Sequence, residues 1–340
     1  MIGYYIHHHG FGHLARAISI CARMRRPVTA ITSLDVPEPH PFSRVIRLPR
    51  DDAESQPRET TAHGALHWAP HHDTGLSARM TELARWVSDA RPEAVVVDVS
   101  VEVAVFIRLL GVPVIVMALP GNRVDAPHVL VHRLADHIVA AWPRALCVPS
   151  WLRQWDEKTS YVGGISRFEG RDGGDAESGS LLPAKPLKET RVLVLSGASD
   201  AFGASLQDCA AADSVRSWTV LGGEGGSWKH DPWREIREAD VVITHGGQSC
   251  IADVAAARRP ATVIPQPRPF DEQRATARVL KRHRLAVVAR GVPDPRAWPA
   301  LLTAASATDP QRWRRWEVDG AANRAAEAIE STARRCGSGA

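Results

Sequence analysis

The 340-residue chain is sparing in the features that mark several common protein classes. Its five cysteines (Cys21, Cys147, Cys209, Cys250, Cys336) are odd in number, far apart and form no CxxC pair, which argues against a disulfide framework or a cysteine zinc site and for reduced thiols. No apolar run approaches the roughly 18 residues of a membrane span, and Met1 leads straight into a strand pattern without a secretory leader. A cytoplasmic protein with no transmembrane segment is expected. HExxH, DxD and zinc-finger spacings are missing, so no metal site is expected. Charge of one sign is scarce too: 42 Lys and Arg against 38 Asp and Glu leave +4 with no basic tail, which speaks against a nucleic-acid partner. Arg23, Arg25 and Arg26 leave peripheral contact with an anionic membrane surface open.

What is present is ordinary globular material, 44% hydrophobic and 24% charged, enough to bury sizeable cores. The length exceeds the roughly 150 residues of one typical domain, so two are expected. Residues 2–6 read as a buried strand, then a Gly/His loop and a helix over 14–24. Strands at 28–32 and 45–48, a helix over 76–89, a strand at 94–97 ending in Asp98, a helix over 101–110 and a strand at 112–117 continue the alternation. Strand, helix, strand implies parallel pairing. Low hydrophobicity over 169–180 marks a linker. The second half repeats the logic. Strands at 191–195, 218–221 and 241–244 run into Ser196-Gly197-Ala198-Ser199, Gly222-Gly223 and His245-Gly246-Gly247. The expected division is an N-terminal Rossmann-like domain at 1–160, a linker at 161–189, a second such domain at 190–308 and a helical tail at 309–340 that can cross back.

The most informative stretch is ADVVITHGGQSCIADVAAARRPATVIPQPRPFDEQ, residues 239–273. A strand delivers a Gly-Gly turn, and a helix opening near Gln248 and Ser249 points unpaired N–H groups and positive dipole at whatever lies above the strand ends. A bare HGG also serves simple packing. Asp253, one turn into that helix, suits a ribose diol, and the Pro-rich loop after strand 261–264 carries Glu272 and Gln273, an acid and an amide fit for sugar hydroxyls.

With these residues in view, 239–280 resembles the donor site of GT-B glycosyltransferases, notably the lipid-II-forming N-acetylglucosaminyltransferase and the natural-product and plant-type enzymes. The resemblance implies an α/β fold of two facing Rossmann-like domains with the active site between them. It implies His245, Gly246, Gly247, Gln248 and Ser249 at a diphosphate, Asp253 at the ribose, Glu272 and Gln273 at the donor sugar, and Gly197 and Gly222 flanking the nucleotide. The family usually carries Glu where this chain has the shorter Asp253.

The loop HHHGFGHLAR, residues 7–16, is similar to the family's first Gly-rich loop. There the resemblance makes His13 the general base, a role an imidazole near neutrality can fill. Asp98 corresponds to the acid that orients that base; capping the next helix is the plain alternative. Gly10, Gly12, His71 and His72 are candidates for the acceptor side. The remaining histidines, His7, His8, His9, His63 and His67 among them, lack metal-ligand spacing. The implied activity is inverting, metal-independent transfer from a UDP- or TDP-sugar to a small or lipid-linked acceptor, with no further cofactor. A sugar-nucleotide 2-epimerase and a non-catalytic sugar-nucleotide binder are the alternatives.

Overall fold

The computed structural model describes residues 1–8, 10–52, 56–171, 190–197, 201–223 and 227–337. His9, Ala198, Ser199 and the linker from 172 onward, all named above, lie outside the described residues.

The N-terminal domain is built from β1 (Ile2–Ile6), α1 (Phe11–Cys21), β2 (Val28–Thr32), β3 (Arg44–Arg47), α2 (Thr74–Ala90), β4 (Ala94–Asp98), α3 (Val101–Leu109), β5 (Val114–Ala118), α4 (Ala126–Leu134), β6 (His137–Ala140) and β7 (Thr159–Tyr161). Its seven parallel strands run in the order β3-β2-β1-β4-β5-β6-β7. β1, β2, β4 and β5 are buried along their whole length, as both-face burial of a parallel sheet requires. The order reverses between β1 and β4, whose register pairs Ile6 with Asp98. Loops leaving two such strands open a crevice above their ends.

The C-terminal domain contains β8 (Arg191–Leu195), α5 (Ala201–Ala212), β9 (Ser217–Leu221), α6 (Trp233–Glu238), β10 (Val241–Thr244), α7 (Gln248–Ala257), β11 (Ala261–Val263), α8 (Glu272–Arg282), β12 (Val287–Val288) and α9 (Trp298–Ser306). Its parallel order β12-β11-β10-β8-β9 reverses between β8 and β10, so the loops carrying Gly197 and His245 adjoin.

The tail is two pieces where one helix was expected. A 3-10 turn at Pro310–Trp316 anchors to the C-terminal domain through buried Trp313, whose indole N–H donates to the Arg259 carbonyl at 2.8 Å. The chain then breaks at Glu317 and Gly320, both at positive φ, before α10 (Ala321–Gly337). Ala321, Ala322, Ala325, Ala326, Ile329 and Ala333 form a helical stripe that joins the N-terminal core beside α1. Glu330 of α10 accepts the backbone N–H groups of Arg25 and Arg26 at 2.7 and 3.0 Å, and the Arg26 guanidinium pairs with Glu93. Of the three arginines that left membrane contact open, Arg26 thus has its side chain tied into the fold, and Arg25 its backbone. Among the described residues no helix is long and apolar enough to cross a membrane.

Candidate active site

α1 begins at Phe11, three residues earlier than its apolar spacing suggests, because Gly10 at φ 95° turns the chain directly out of β1. That early start directs His13 back over the strand ends. Its Nδ1 lies 2.9 Å from Oδ1 of Asp98, which is completely buried at the end of β4. Val99, next in the chain, has φ 67°, a strained value for a β-branched residue, and Ser100 then caps α3 by accepting the Val103 N–H. The helix cap expected as the alternative role of Asp98 belongs to Ser100, which leaves the carboxylate to His13.

A third member completes this group. Arg16, one helical turn beyond His13, is 5% exposed and holds Asp98 from both sides, Nε to Oδ2 at 3.1 Å and Nη2 to Oδ1 at 2.5 Å. Burial pushes the Asp98 carboxyl up, but Arg16 and His13 outweigh it and hold the group at about 2. An ionised Asp98 favours the tautomer with the proton on His13 Nδ1, leaving Nε2 as the basic nitrogen.

Across the crevice, α7 opens at Gln248 with no side-chain cap and no acid in its first turn, and α1 opens in the same way. The two helix starts touch: the Ser249 hydroxyl donates to the Gly12 carbonyl at 3.2 Å. Two positive dipole ends meeting without a capping acid concentrate positive potential at one point. This junction lies beside His13.

The HGG turn is organised differently from the expectation. Gly246 N–H donates to Gln273 Oε1 at 3.1 Å and Gly247 N–H to His245 Nδ1 at 2.9 Å, so neither amide faces a bound anion. His245 is buried, edge-on to Phe202, with Nε2 3.6 Å from Cys250 Sγ. Gln273 is buried and its Oε1 also accepts the Gln266 N–H, so that oxygen braces two loops and is not turned to a sugar. Asp253 is likewise committed, accepting from the Ser166 hydroxyl at 2.7 Å and Arg167 Nε at 3.2 Å, while burial pushes its carboxyl up. Helix amides from Gln248 onward are what the turn offers an anion.

Gly197 and Gly222 do adjoin: the Gly197 carbonyl accepts from Gly223 N–H at 2.6 Å, and a Cβ on Gly222 would lie 2.5 Å from the Ser196 carbonyl. Glu272 heads α8 and pairs with Arg123 of the N-terminal domain at 3.2 Å. His71 and His72 are exposed, on the outside of their loop. His67 and Trp68 of the same loop instead line a cavity at the ends of β4 and β5, together with Arg123, His128 and, from the C-terminal domain, Phe270. Sequence reasoning missed Arg16, Arg123, Asp125, His128 and Phe270; only Arg16 left a local signal, its i, i+3 spacing from His13.

Among the described residues two clusters have ligand types suited to a metal ion, His67 with Asp125 and His128, and His8 with Asp51 and Asp52. In the first, His67 Nε2 and His128 Nδ1 lie 2.6 and 2.5 Å from the two Asp125 oxygens, within direct hydrogen-bond reach.

Residues 228–291 match the model of the glycosyltransferase family 28 C-terminal domain. No curated protein matches the chain. Among solved structures, the glycotransferase of kitacinnamycin aligns at TM-score 0.66 and 16% identity over 97% of this chain and 98% of its own. A Phytolacca americana glycosyltransferase, UGT2, solved with UDP-2-fluoro-glucose and pterostilbene, aligns at 0.63 and 15% over 99% of each chain. MurG of Acinetobacter baumannii aligns at 0.57 and 16% over 97% of this chain and 99% of its own. At these identities the likeness is one of fold, and the fold is GT-B.

Proposed function

We propose that this chain, a glycosyltransferase of the GT-B fold, moves a sugar from a nucleoside diphosphate to an acceptor hydroxyl in one inverting displacement. His13 Nε2 takes the hydroxyl proton as the acceptor oxygen bonds to the anomeric carbon. The bond from that carbon to the diphosphate breaks, and its electron pair leaves with the nucleotide. Asp98 holds the imidazole and balances the cation it becomes. The amides of the α7 start meet the charge growing on the diphosphate, so the reading needs no divalent ion.

The observation that carries it is the junction of two uncapped helix starts at Gly12 and Ser249, with His13 as the next residue. An anion site and a base thereby lie side by side, as a displacement requires. UDP- and TDP-sugars are the proposed donors; the Phytolacca relative was solved with a UDP-sugar analogue.

Calorimetry with UDP-, TDP- and GDP-sugars tests the donor site, and NMR of the donor with and without acceptor tests the reaction. His13→Ala is expected to bind donor nearly as the parent does while turnover falls by on the order of a hundredfold or more. Absence of heat with every nucleotide sugar overturns the reading. Conversion of the donor at C2 without any acceptor replaces it with epimerisation.

A further inference from the structure

We infer that a second cavity, walled by both domains along α8, is an effector site for a small planar aromatic acid. This site is separate from His13 and Asp98 and meets the groups assigned to transfer only at Gln248.

Its size and walls select an aromatic guest. The cavity measures about 220 Å³ and is almost wholly apolar, with Trp142 and Leu146 from the loop after β6 on one side, Ala275 and Val279 of α8 on the other, and Trp316 of the tail. An apolar cavity of about 150 Å³ accommodates benzene, so this one admits a two-ring aromatic. The Trp142 indole N–H is already spent on the Cys147 carbonyl at 3.0 Å, which leaves its flat faces for packing. Interdomain hydrogen bonds at the two ends of α8 fix the spacing: Asn122 N–H donates to the Phe270 carbonyl at 2.8 Å, and His283 Nε2 lies 3.1 Å from the Leu146 carbonyl. Pro120, Pro143 and Pro149 stiffen the facing loops, so the wall resists collapse onto α8.

Charge at the rim selects an acid. Arg278 lines the cavity from the exposed side of α8, and the charge of Arg282, one turn on, reaches the thiol of Cys147 on the opposite wall. Arg274, on the same stripe, is paired with Asp271 at 3.1 Å. Among the described residues Arg278 and Arg282 have no carboxylate partner; Arg278 Nε donates only to the Arg274 carbonyl. Two unpaired guanidinium groups beside an apolar cavity complement a molecule with a ring at one end and a carboxylate at the other, since the guanidinium fork matches carboxylate geometry.

Gln248 makes the guest an effector. It lines the cavity, it is the first residue of α7, and its Oε1 accepts from Arg16 Nη1 at 2.9 Å. A molecule seated there rests on the residue that opens the helix proposed to meet the diphosphate. Because both domains wall the cavity, the guest also favours one spacing of the domains over others, and the nucleotide feels that choice.

The test is calorimetry on the full chain with 2-naphthoate, its neutral amide 2-naphthamide, and decanoate. The naphthoate is expected to bind at least about threefold more tightly than the amide, and more tightly than decanoate, whose flexible chain must be ordered. Arg278→Gln combined with Arg282→Gln should remove the preference over the amide and spare the fold, because both side chains are exposed. Ala275→Phe, which fills the cavity from α8, should weaken naphthoate binding about tenfold. Bound naphthoate should slow labelling of Cys147 by methyl methanethiosulfonate, read by peptide mass spectrometry, and leave Cys336 of α10 unaffected. Saturating naphthoate should shift the UDP Kd by at least about threefold, and saturating UDP should shift the naphthoate Kd by the same factor. No naphthoate binding, equal binding of the amide, tighter binding of decanoate, or undiminished binding in a folded Ala275→Phe protein overturns the aryl-acid site. Binding with no shift in UDP affinity overturns the effector role. A parent that binds no nucleotide strikes the transfer reading and the effector role together, and leaves the aryl-acid site to stand on the naphthoate affinity and the protection of Cys147.

Discussion

Arg16 Nη1 donates to Gln248 Oε1 at 2.9 Å, so the side chain that clamps Asp98 also holds the first residue of α7. A single guanidinium thereby links the proposed base, its acid partner and the helix start on the opposite domain. The planar fork of arginine is what permits this, since separate N–H groups leave it in fixed and different directions.

Arg16→Met should therefore act on chemistry as well as stability. It leaves the Asp98 charge buried with only His13 for company, at an expected cost of about 3–5 kcal/mol in unfolding free energy. An unbalanced Asp98 attracts a proton to the pair more strongly, so the acid limb of kcat/KM should move to higher pH. Gln248→Leu cuts the interdomain bond alone and should leave that limb in place while raising the donor KM. A merely structural Arg16 would lower activity without moving the limb, which a pH series on the two variants separates.

Asp98→Asn keeps the shape and removes the charge, and turnover should drop on the order of a thousandfold because the amide no longer enforces the productive tautomer. Stability gives a second readout. The Asp98 carboxyl is held at about 2 in the folded chain, below its ordinary 3.8, so its contribution is complete above pH 4 and lost as pH falls through 2. That contribution is on the order of 2 kcal/mol, and denaturant titrations between pH 5 and 2 should show it in the parent and not in the variant.

The parallel α/β fold was legible because β1, β4 and β10 are short, fully buried and largely apolar runs, the first followed by His7 and the others ending at Asp98 and Thr244. The pairing of His13 with Asp98 was legible only through family resemblance; its physical cause, the Ile6–Asp98 register, is a tertiary fact. Arg16 stood in the same motif but acquires a role only once β4 lies beside β1. Arg123 and Glu272, 149 positions apart, meet through domain packing that no local pattern encodes. The donor contacts expected of Gln273 and Asp253 carried over the residues without the loops around them. Ser166 and Arg167, inside the expected linker, occupy Asp253, and Gln273 braces the turn it was expected to project beyond. The break in the tail was written in Gly320, which the helical spacing of its neighbours masked.

Gly247→Ala should be far more damaging than its size suggests. Backbone conformation is no obstacle, since φ is −70°. A Cβ there would lie 2.5 Å from Cε1 and 2.8 Å from Nδ1 of His245, which is packed against Phe202 and cannot withdraw freely. Displacing the imidazole also ends its bond with the Gly247 amide, so a loss of about 1–3 kcal/mol and weaker nucleotide binding are expected. Gly291→Ala is the control: nothing lies within 4 Å of its Cβ and its φ lies outside the left-handed region, so its stability should stay within about 0.5 kcal/mol of the parent. Thermal melts with and without UDP should rank the two variants in that order.

Acid should unfold the N-terminal domain through three histidines held in the neutral form, His132 buried and His128 and His137 half-buried. Burial, aided by Arg123, pulls His128 down to about 4; burial and neighbouring cations do the same to His132, at about 3, and to His137, at about 4. Each lies below the ordinary 6.5, so the folded chain resists protons that the unfolded chain accepts. Their stabilisation is whole above pH 6.5 and lost as pH falls towards 4, the direction in which unfolding takes up protons. His132 stacks on Trp151 with ring centroids 4.9 Å apart, a contact that survives replacement of the imidazole by another flat ring. His132→Phe should accordingly keep the packing and lose one titrating group. The measurement is the slope of unfolding free energy against pH between 6.5 and 4.5, expected to be shallower in His132→Phe by up to about 1.4 kcal/mol per pH unit, the value of one proton. An identical slope in parent and variant would show that His132 takes up no proton on unfolding.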